Sequence, residues 1–236
     1  MVLTGTLVNG MAIIFAVIIG LLIPKISDNL KKTVMQAIGL AVVVLGVGMG
    51  LKSEQFLIVI GSLVIGAIIG EKIDLEGKLN QVGKWIEKRM GAKQEEGTIA
   101  NAFVTTTLIY VVGAMAILGA LDGGLRGDHS ILYTKAMLDG FSAIIFTSTL
   151  GIGVIFSAIP VILYQGSIAL MATQINAIIP QALMDAFIVE MTATGGVMII
   201  AIGFNILGVL TIRVANLLPS IVVVAVLVSV LYGLPL

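Results

Sequence analysis

The chain has no cysteine, one histidine, one tryptophan and five prolines, and only 11% of its 236 residues are charged. Without cysteine there are no disulfides and no thiolate metal sites, and the redox compartment stays unread. A lone histidine, His129, leaves a metal site short of ligands, so no metal is expected. Thirteen basic residues balance thirteen acidic ones, and no basic field points to nucleic acid. No P-loop, nucleophile elbow or zinc-protease helix is present, and Gly46-x-Gly48-x-Gly50 lacks the strand–turn–helix frame of a nucleotide fingerprint. These absences argue against an enzyme and against a bound cofactor. Any transport work must draw on an ion gradient or a separate subunit. The opening MVLTGTLVNG carries no Lys or Arg, a poor secretory signal, so the first apolar segment is expected to stay in the mature protein.

What the chain has is apolar length. Hydrophobic residues make up 58% of it, more than a soluble domain can hide. The apolar segments lie at about 4–23, 33–51, 55–71, 99–120, 134–157, 159–178, 181–194, 196–212 and 219–234. Most are near the roughly 20 residues that a helix needs to cross a bilayer, and they do not alternate as barrel strands would. Pro24, Pro160, Pro180 and Pro219 fall at segment ends. The expected fold is an all-α polytopic membrane bundle of about seven to nine segments with glycine-broken helices. The pair 181–194 and 196–212 reads as two helices, one broken helix or a re-entrant pair.

The one long polar stretch is 72–98. Leu75, Leu79, Val82, Ile86 and Met90 recur there at helical spacing beside Trp85, with Lys78, Lys84, Lys88 and Arg89 on other faces. This predicts an amphipathic helix at the membrane surface, with a solvated linker helix as the plainer reading. Lys25, Lys31, Lys32, Lys72, Lys78, Lys84, Lys88, Arg89 and Lys93 fall on one side of a nine-segment topology, and Lys52, Arg126, Lys135 and Arg213 on the other. That bias places 72–98 in the cytoplasm and the amino terminus outside.

Sliding the chain by 103 residues lays 4–51 over 107–154 with ten matches, among them Gly10/Gly113, Gly20/Gly123, Lys32/Lys135, Gly48/Gly151 and Gly50/Gly153. Three segments per copy would invert the second copy, an architecture recurrent among secondary transporters, with the site near the midplane. The domain division that follows is a first repeat at 1–71, the interfacial helix at 72–98, a second, inverted repeat at 99–178, and a broken helix or hairpin plus a last helix at 179–236. Homodimerisation fits three-helix units with glycine stripes.

Three stretches share a layout: a polar or acidic residue opens an apolar helix that then meets small residues. They are 36–50, 139–153 and 185–196. Asp139, Asp185 and Glu190 are the intramembrane carboxylates, and a charge at helix centre costs on the order of 3 kcal/mol unless paired, protonated or hydrated. Asp139 also reads as a helix-end carboxylate at the interface. Glu190 lies deeper, on one face with Thr194, with Arg213 as a conceivable partner, and is expected to carry protons. Thr147, Ser148 and Thr149 precede Leu150-Gly151-Ile152-Gly153, and Thr192 and Thr194 precede Gly195 and Gly196. Such segments either unwind to offer hydroxyls and carbonyls to an ion or solute, or simply let helices pack closely. Ser62, Gly66 and Gly70 read as a packing stripe. Asn101 and Thr105 share a face that either lines a polar path or bonds within the bundle.

The strings GTLVNGMAIIFAVIIGLLIP, GEKIDLEG, KAMLDGFSAIIFTSTLGIGV and EMTATGGVMIIAIGFNIL resemble the YdfK/YqgA family of bacterial membrane proteins, a group defined by a domain of unknown function, over essentially the whole length. The resemblance implies a bacterial inner-membrane protein and brings no substrate. The functional expectation is secondary transport of a small solute or ion, H+ or Na+ included. The rivals are a membrane scaffold or sensor acting through 72–98 and an intramembrane enzyme acting on lipid.

Overall fold

A computed structural model describes residues 1–23, 28–90, 98–111 and 114–233. Among them there is no strand. The helices are α1 (Thr4–Leu22), α2 (Asp28–Gly50), α3 (Phe56–Ile73), α4 (Leu75–Met90), α5 (Thr98–Val111), α6 (Ala114–Leu125), α7 (Ser130–Leu150), α8 (Ala158–Leu170), α9 (Ala172–Ile178), α10 (Gln181–Leu207) and α11 (Ser220–Gly233). Short 3-10 turns, Ile152–Ser157 and Val214–Leu217, precede α8 and α11. Six of the segments are long and apolar enough to cross a bilayer, and α5 with α6 makes a seventh if the pair is one span. Large apolar side chains such as Phe15, Leu57, Met137 and Leu163 face outward, as lipid contact requires. The chain is an all-α multi-pass membrane protein.

The helices divide into two compact units, residues 1–31, 79–111 and 115–177 in one, and 32–78, 112–114 and 178–236 in the other. The division cuts across the stretch 1–71: α1 belongs to the first unit, and α2 from Lys32 onward and α3 to the second.

In the first unit α1 packs along α7 in a constant register, so the two run parallel. A β-carbon added to Gly5 would meet Leu132, one on Gly140 would touch Ala12, and one on Gly20 would lie 2.8 Å from the Ile144 carbonyl. Against α8 the register reverses: Gly10 faces Ile162 and Gly166 faces Leu3 and Thr6. Small residues on α1 let both neighbours approach its backbone, the usual way helices associate in lipid. The expected break after Thr147 is present. α7 stops at Leu150, Gly151 takes φ +86°, and the 3-10 turn follows.

In the second unit α3 runs parallel to α10 and antiparallel to α11. A β-carbon on Gly66 would sit 2.4 Å from the Ser220 amide nitrogen, and one on Gly70 would sit 1.9 Å from the Asn216 carbonyl. The expected Ser62-Gly66-Gly70 stripe is thus a packing face. α2 lies antiparallel on α10, with Gly39 against Gly203 and Gly46 against Gly196.

The second expected break is absent. α10 is one helix of 27 residues, about 40 Å at 1.5 Å per residue, and runs unbroken through Thr192–Gly196. Unwinding there would strand backbone groups in an apolar surround at several kcal/mol each. The small residues instead receive α2, whose backbone atoms lie 2.6–2.7 Å from a β-carbon placed on Gly196. α10 ends about three turns beyond the expected break, at Gly208 with φ +70°. There the Gly208 N–H bonds to Asn205 O and the Val209 N–H to Phe204 O, a left-handed C-terminal cap. The Asn205 amide then brackets Ile212, donating to its carbonyl at 2.7 Å and accepting from its N–H at 2.8 Å.

α4 forms as expected over Leu75–Met90; residues 91–97 lie outside the described residues. Its start is clamped to the turn before α11. Asp74, left-handed at φ +53°, caps α3 and pairs with Arg213, which also pairs with Glu71. Asn216 accepts from the Glu76 N–H at 2.8 Å and donates to Glu71 at 2.6 Å. Arg213 therefore partners these two carboxylates and not Glu190.

Candidate functional site

Asp139 is the tenth residue of α7, about 14 Å along its axis, and is 6% exposed. It is not a solvated carboxylate at a helix end. One turn earlier on the same face, Lys135 donates to its Oδ1 at 2.9 Å and lies 2.8 Å from Oδ2. From α1, Asn9 Nδ2 donates to Asp139 Oδ2 at 3.1 Å and to Gln165 Oε1 on α8 at 3.4 Å. Ser142, next along α7, lies 3.4 Å from the Tyr110 hydroxyl of α5. The parallel α1/α7 packing delivers Asn9 to Asp139, and the antiparallel α8 delivers Gln165. Thr6, Asn9 and Gln165 are sealed from solvent, yet Thr6 Oγ1, Asn9 Oδ1 and Gln165 Nε2 have no protein partner. An unsatisfied buried polar atom costs about 1–3 kcal/mol.

Glu190 is likewise the tenth residue of its helix and 1% exposed, with the opposite surroundings. Ser53 Oγ donates to Oε2 at 2.6 Å, and the Glu54 and Gln55 N–H groups donate to Oε1 at 2.9 and 2.8 Å. Those amides form the N-terminal end of α3, where a helix favours negative charge. Both oxygens are satisfied as acceptors, and the carboxylate ties the α2–α3 connection to α10. The proton-carrier expectation for Glu190 does not match this arrangement.

The remaining expected site residues separate. Asp185 is exposed and accepts from Gln181 Nε2 at 2.9 Å within its own helix. Ser148 and Thr149 turn their hydroxyls back onto α7, to Ile145 O at 2.8 and 3.0 Å. Thr147 is buried against Gly20 with its hydroxyl unpartnered. Thr192, Thr194, Gly195 and Gly196 are buried in the second unit, the two threonine hydroxyls without partners. Thr105 bonds to Asn101 at 3.2 Å, a bond within one helix. His129 is not a solvated loop residue: its Nε2 lies 3.0 Å from Met1 O, and the ring sits among Gly5, Gly123 and Tyr133. Among the described residues no group of three acidic or histidine side chains is placed to hold a metal.

Lys135 and Gln165 are the site residues the sequence did not bring forward, whereas Asn9 and Thr6 stood out as polar residues opening the first segment. The i, i+4 spacing of Lys135 and Asp139 was a usable signal. An amide inside an apolar run, as at Asn9 and Gln165, was another.

Comparison with known proteins agrees with a membrane protein. Over 234 residues, 97% of each chain, the sequence is 33% identical to the uncharacterized membrane protein YdfK of Bacillus subtilis. It is 27% identical over 221 residues, 92% of each chain, to the uncharacterized protein YqgA of Escherichia coli. No solved structure matches. The family described as protein of unknown function DUF554 matches residues 4–229, and the chain belongs to that family.

Proposed function

We propose that this protein is a secondary carrier of a small solute or ion, with its site at Asp139, Lys135, Asn9 and Gln165 in the first unit. The observation that carries the reading is a buried ion pair surrounded by polar atoms left unpartnered. Burying such a pair costs several kcal/mol per ion, which the pair's attraction only partly returns. A helix that merely anchored the chain would gain more from leucine at these positions. Charged and amide residues facing inward at this depth mark solute and ion paths.

The setting is a bacterial inner membrane, with α4 cytoplasmic and the amino terminus outside. Because α10 is one helix, Arg213 moves to the side of Glu71 and Asp74, and the basic residues then divide ten against three. An inverted relation between 4–51 and 107–154, and pairing of two copies, belong to the same reading.

The test is flux in proteoliposomes loaded with salts or neutral solutes and followed by light scattering. Wild-type protein should dissipate at least one gradient, and Asp139→Asn should not. If no gradient responds, while removal of α4 abolishes the protein's cellular role and Asp139→Asn spares it, a scaffold acting through α4 is the better account.

A further inference from the structure

The second unit combines an apolar groove with charge at one helix end. A groove of about 560 Å³ lies between the C-terminal end of α3 and the turn before α11, all within that unit. Its apolar wall is Ala67, Ile68 and Leu217, and its polar end is Glu71, Lys72 and Arg213. Glu71 and Lys72 occupy the last turn of α3, and Ala67 and Ile68 stand one turn deeper. Ile68 is 53% exposed, so the groove opens outward, toward lipid. α4, expected at the membrane surface from its amphipathic pattern, starts at Leu75 just past Lys72, which sets the polar end at headgroup depth.

Charge decides which lipid fits. Arg213 pairs with both Glu71 and Asp74, and this triad carries one net negative charge. Lys72 beside it carries one positive charge, is exposed, and joins none of the ion pairs among the described residues. The polar end is thus neutral in sum and dipolar in layout. An anionic headgroup would meet Lys72 and be repelled by the triad. A choline headgroup would bring a quaternary ammonium, which has no N–H to give Glu71. Each Glu71 oxygen already accepts one bond, from Arg213 or Asn216, and a carboxylate oxygen accepts two. A headgroup with a phosphate and a primary ammonium answers both signs with charge-assisted hydrogen bonds. We propose that this groove binds one aminophospholipid of the phosphatidylethanolamine class. Its phosphate lies on Lys72, its ammonium on Glu71, and the upper part of its acyl chains along Ala67, Ile68 and Leu217.

The groove shares no residue with the Asp139 cluster, and lipid binding needs no flux, so this inference stands or falls apart from the carrier reading. A lipid held there joins the bonds that already fasten the start of α4 to the turn before α11, from the Glu76 N–H to Asn216 and from the Ala215 N–H to Glu76.

The experiment titrates the full-length protein in detergent micelles with dioleoyl phosphatidylethanolamine, phosphatidylcholine or phosphatidylglycerol, and counts retained lipid by native mass spectrometry. The ethanolamine lipid should saturate its first site at a lower mole fraction than either of the others. Lys72→Gln should raise the half-saturating fraction roughly fivefold. Ala67→Phe, which fills the apolar wall, should also raise it. Lys78→Gln, an exposed lysine outside the groove, should change nothing. Folding of each variant is checked by gel filtration, and the wild-type ranking of the three lipids stands without them. The proposal is overturned if the three lipids bind alike, if the choline or glycerol lipid binds more tightly, or if Lys72→Gln or Ala67→Phe leaves binding of the ethanolamine lipid unchanged. Tighter binding of the glycerol lipid would show that the groove reads negative charge and not the zwitterion.

Discussion

The two units place an acid at the same point of similar frames and treat it differently. In each, a shorter helix (α1 or α3) runs parallel to a longer one (α7 or α10) whose tenth residue is acidic. The longer helix ends at a left-handed glycine, a 3-10 turn follows, and the next helix returns antiparallel. Glu190 meets three donors, two of them backbone N–H groups at a helix start, and both oxygens of its carboxylate are satisfied. Asp139 meets a side-chain ammonium and one amide, and polar atoms beside it stay unpaired. A carboxylate held by backbone is fixed by the fold, whereas one held by side chains can change partners. The same residue class at the same helical position is therefore a fastener in one unit and a candidate site in the other. This likeness aligns α7 with α10, a different pairing from the 103-residue offset, which lays α2 over α7.

The comparison breaks first at the ion pair. Asp139→Leu leaves the Lys135 ammonium buried without its counter-ion and should cost about 3–5 kcal/mol. Lys135→Met combined with Asp139→Leu should recover most of that loss while remaining inactive in flux. Denaturation in mixed detergent micelles reads both. A double variant as unstable as the single one would show that the pair is structural. Next comes Glu190→Gln, which turns an amide donor toward groups that are themselves donors. The expected loss is about 2–3 kcal/mol, with flux per folded molecule retained. Loss of flux at normal stability would return Glu190 to the mechanism.

Much of the fold was legible because hydrocarbon permits so few backbone arrangements. The spans, α4, the packing stripe of α3 and the break at Gly151 all follow from apolar length and small-residue spacing. The Thr192–Gly196 stretch misled because glycine serves two opposite ends, unwinding and close approach, and only the neighbouring helix decides. Here Gly46 of α2 decided for close approach. Arg213 was placed on the wrong side for the same reason, since one supposed break shifts every later residue across the membrane. Of the site, Asp139 was visible as a costly residue, but Asn9 lies 130 residues from Asp139 and 156 from Gln165, distances no local pattern carries. Glu190 was equally visible and its role was not, because its three donors lie in the α2–α3 connection.

Glycine substitutions sharpen the comparison at a smaller scale. Gly70→Ala drives a methyl into the Asn216 carbonyl, and Gly20→Ala drives one toward Ile144 and Thr147. Each should cost about 1–3 kcal/mol by overpacking. Only Gly20→Ala, which moves α1 against α7, should also lower flux. Gly48→Ala meets nothing within 4 Å and should stabilise α2 by up to about 1 kcal/mol through helix propensity. Equal flux loss from Gly70→Ala and Gly20→Ala would remove the distinction between the units.

The smallest effect comes from a third carboxylate that does in water what Glu190 does among helices. Asp128, in the connection before α7, accepts from the Ser130 N–H at 2.9 Å and from its hydroxyl at 2.7 Å. The Ser130 amide, and then its hydroxyl, hold the Asp128 carboxyl below its ordinary range. The folded chain thus binds this proton less readily than the unfolded chain, whose carboxyl titrates near pH 4. The contribution to stability is complete above that pH and fades as pH falls through the lower folded value. Asp128→Asn should flatten this acid limb, read as melting temperature against pH in detergent, and change nothing at neutral pH beyond the noise of a surface substitution. The group is fully exposed, so solvent screening keeps the effect slight. If Asp128→Asn destabilised as much as Glu190→Gln, burial would not be what gives the Glu190 fastening its strength, and the contrast between the two acids at the tenth position would have to rest on geometry alone.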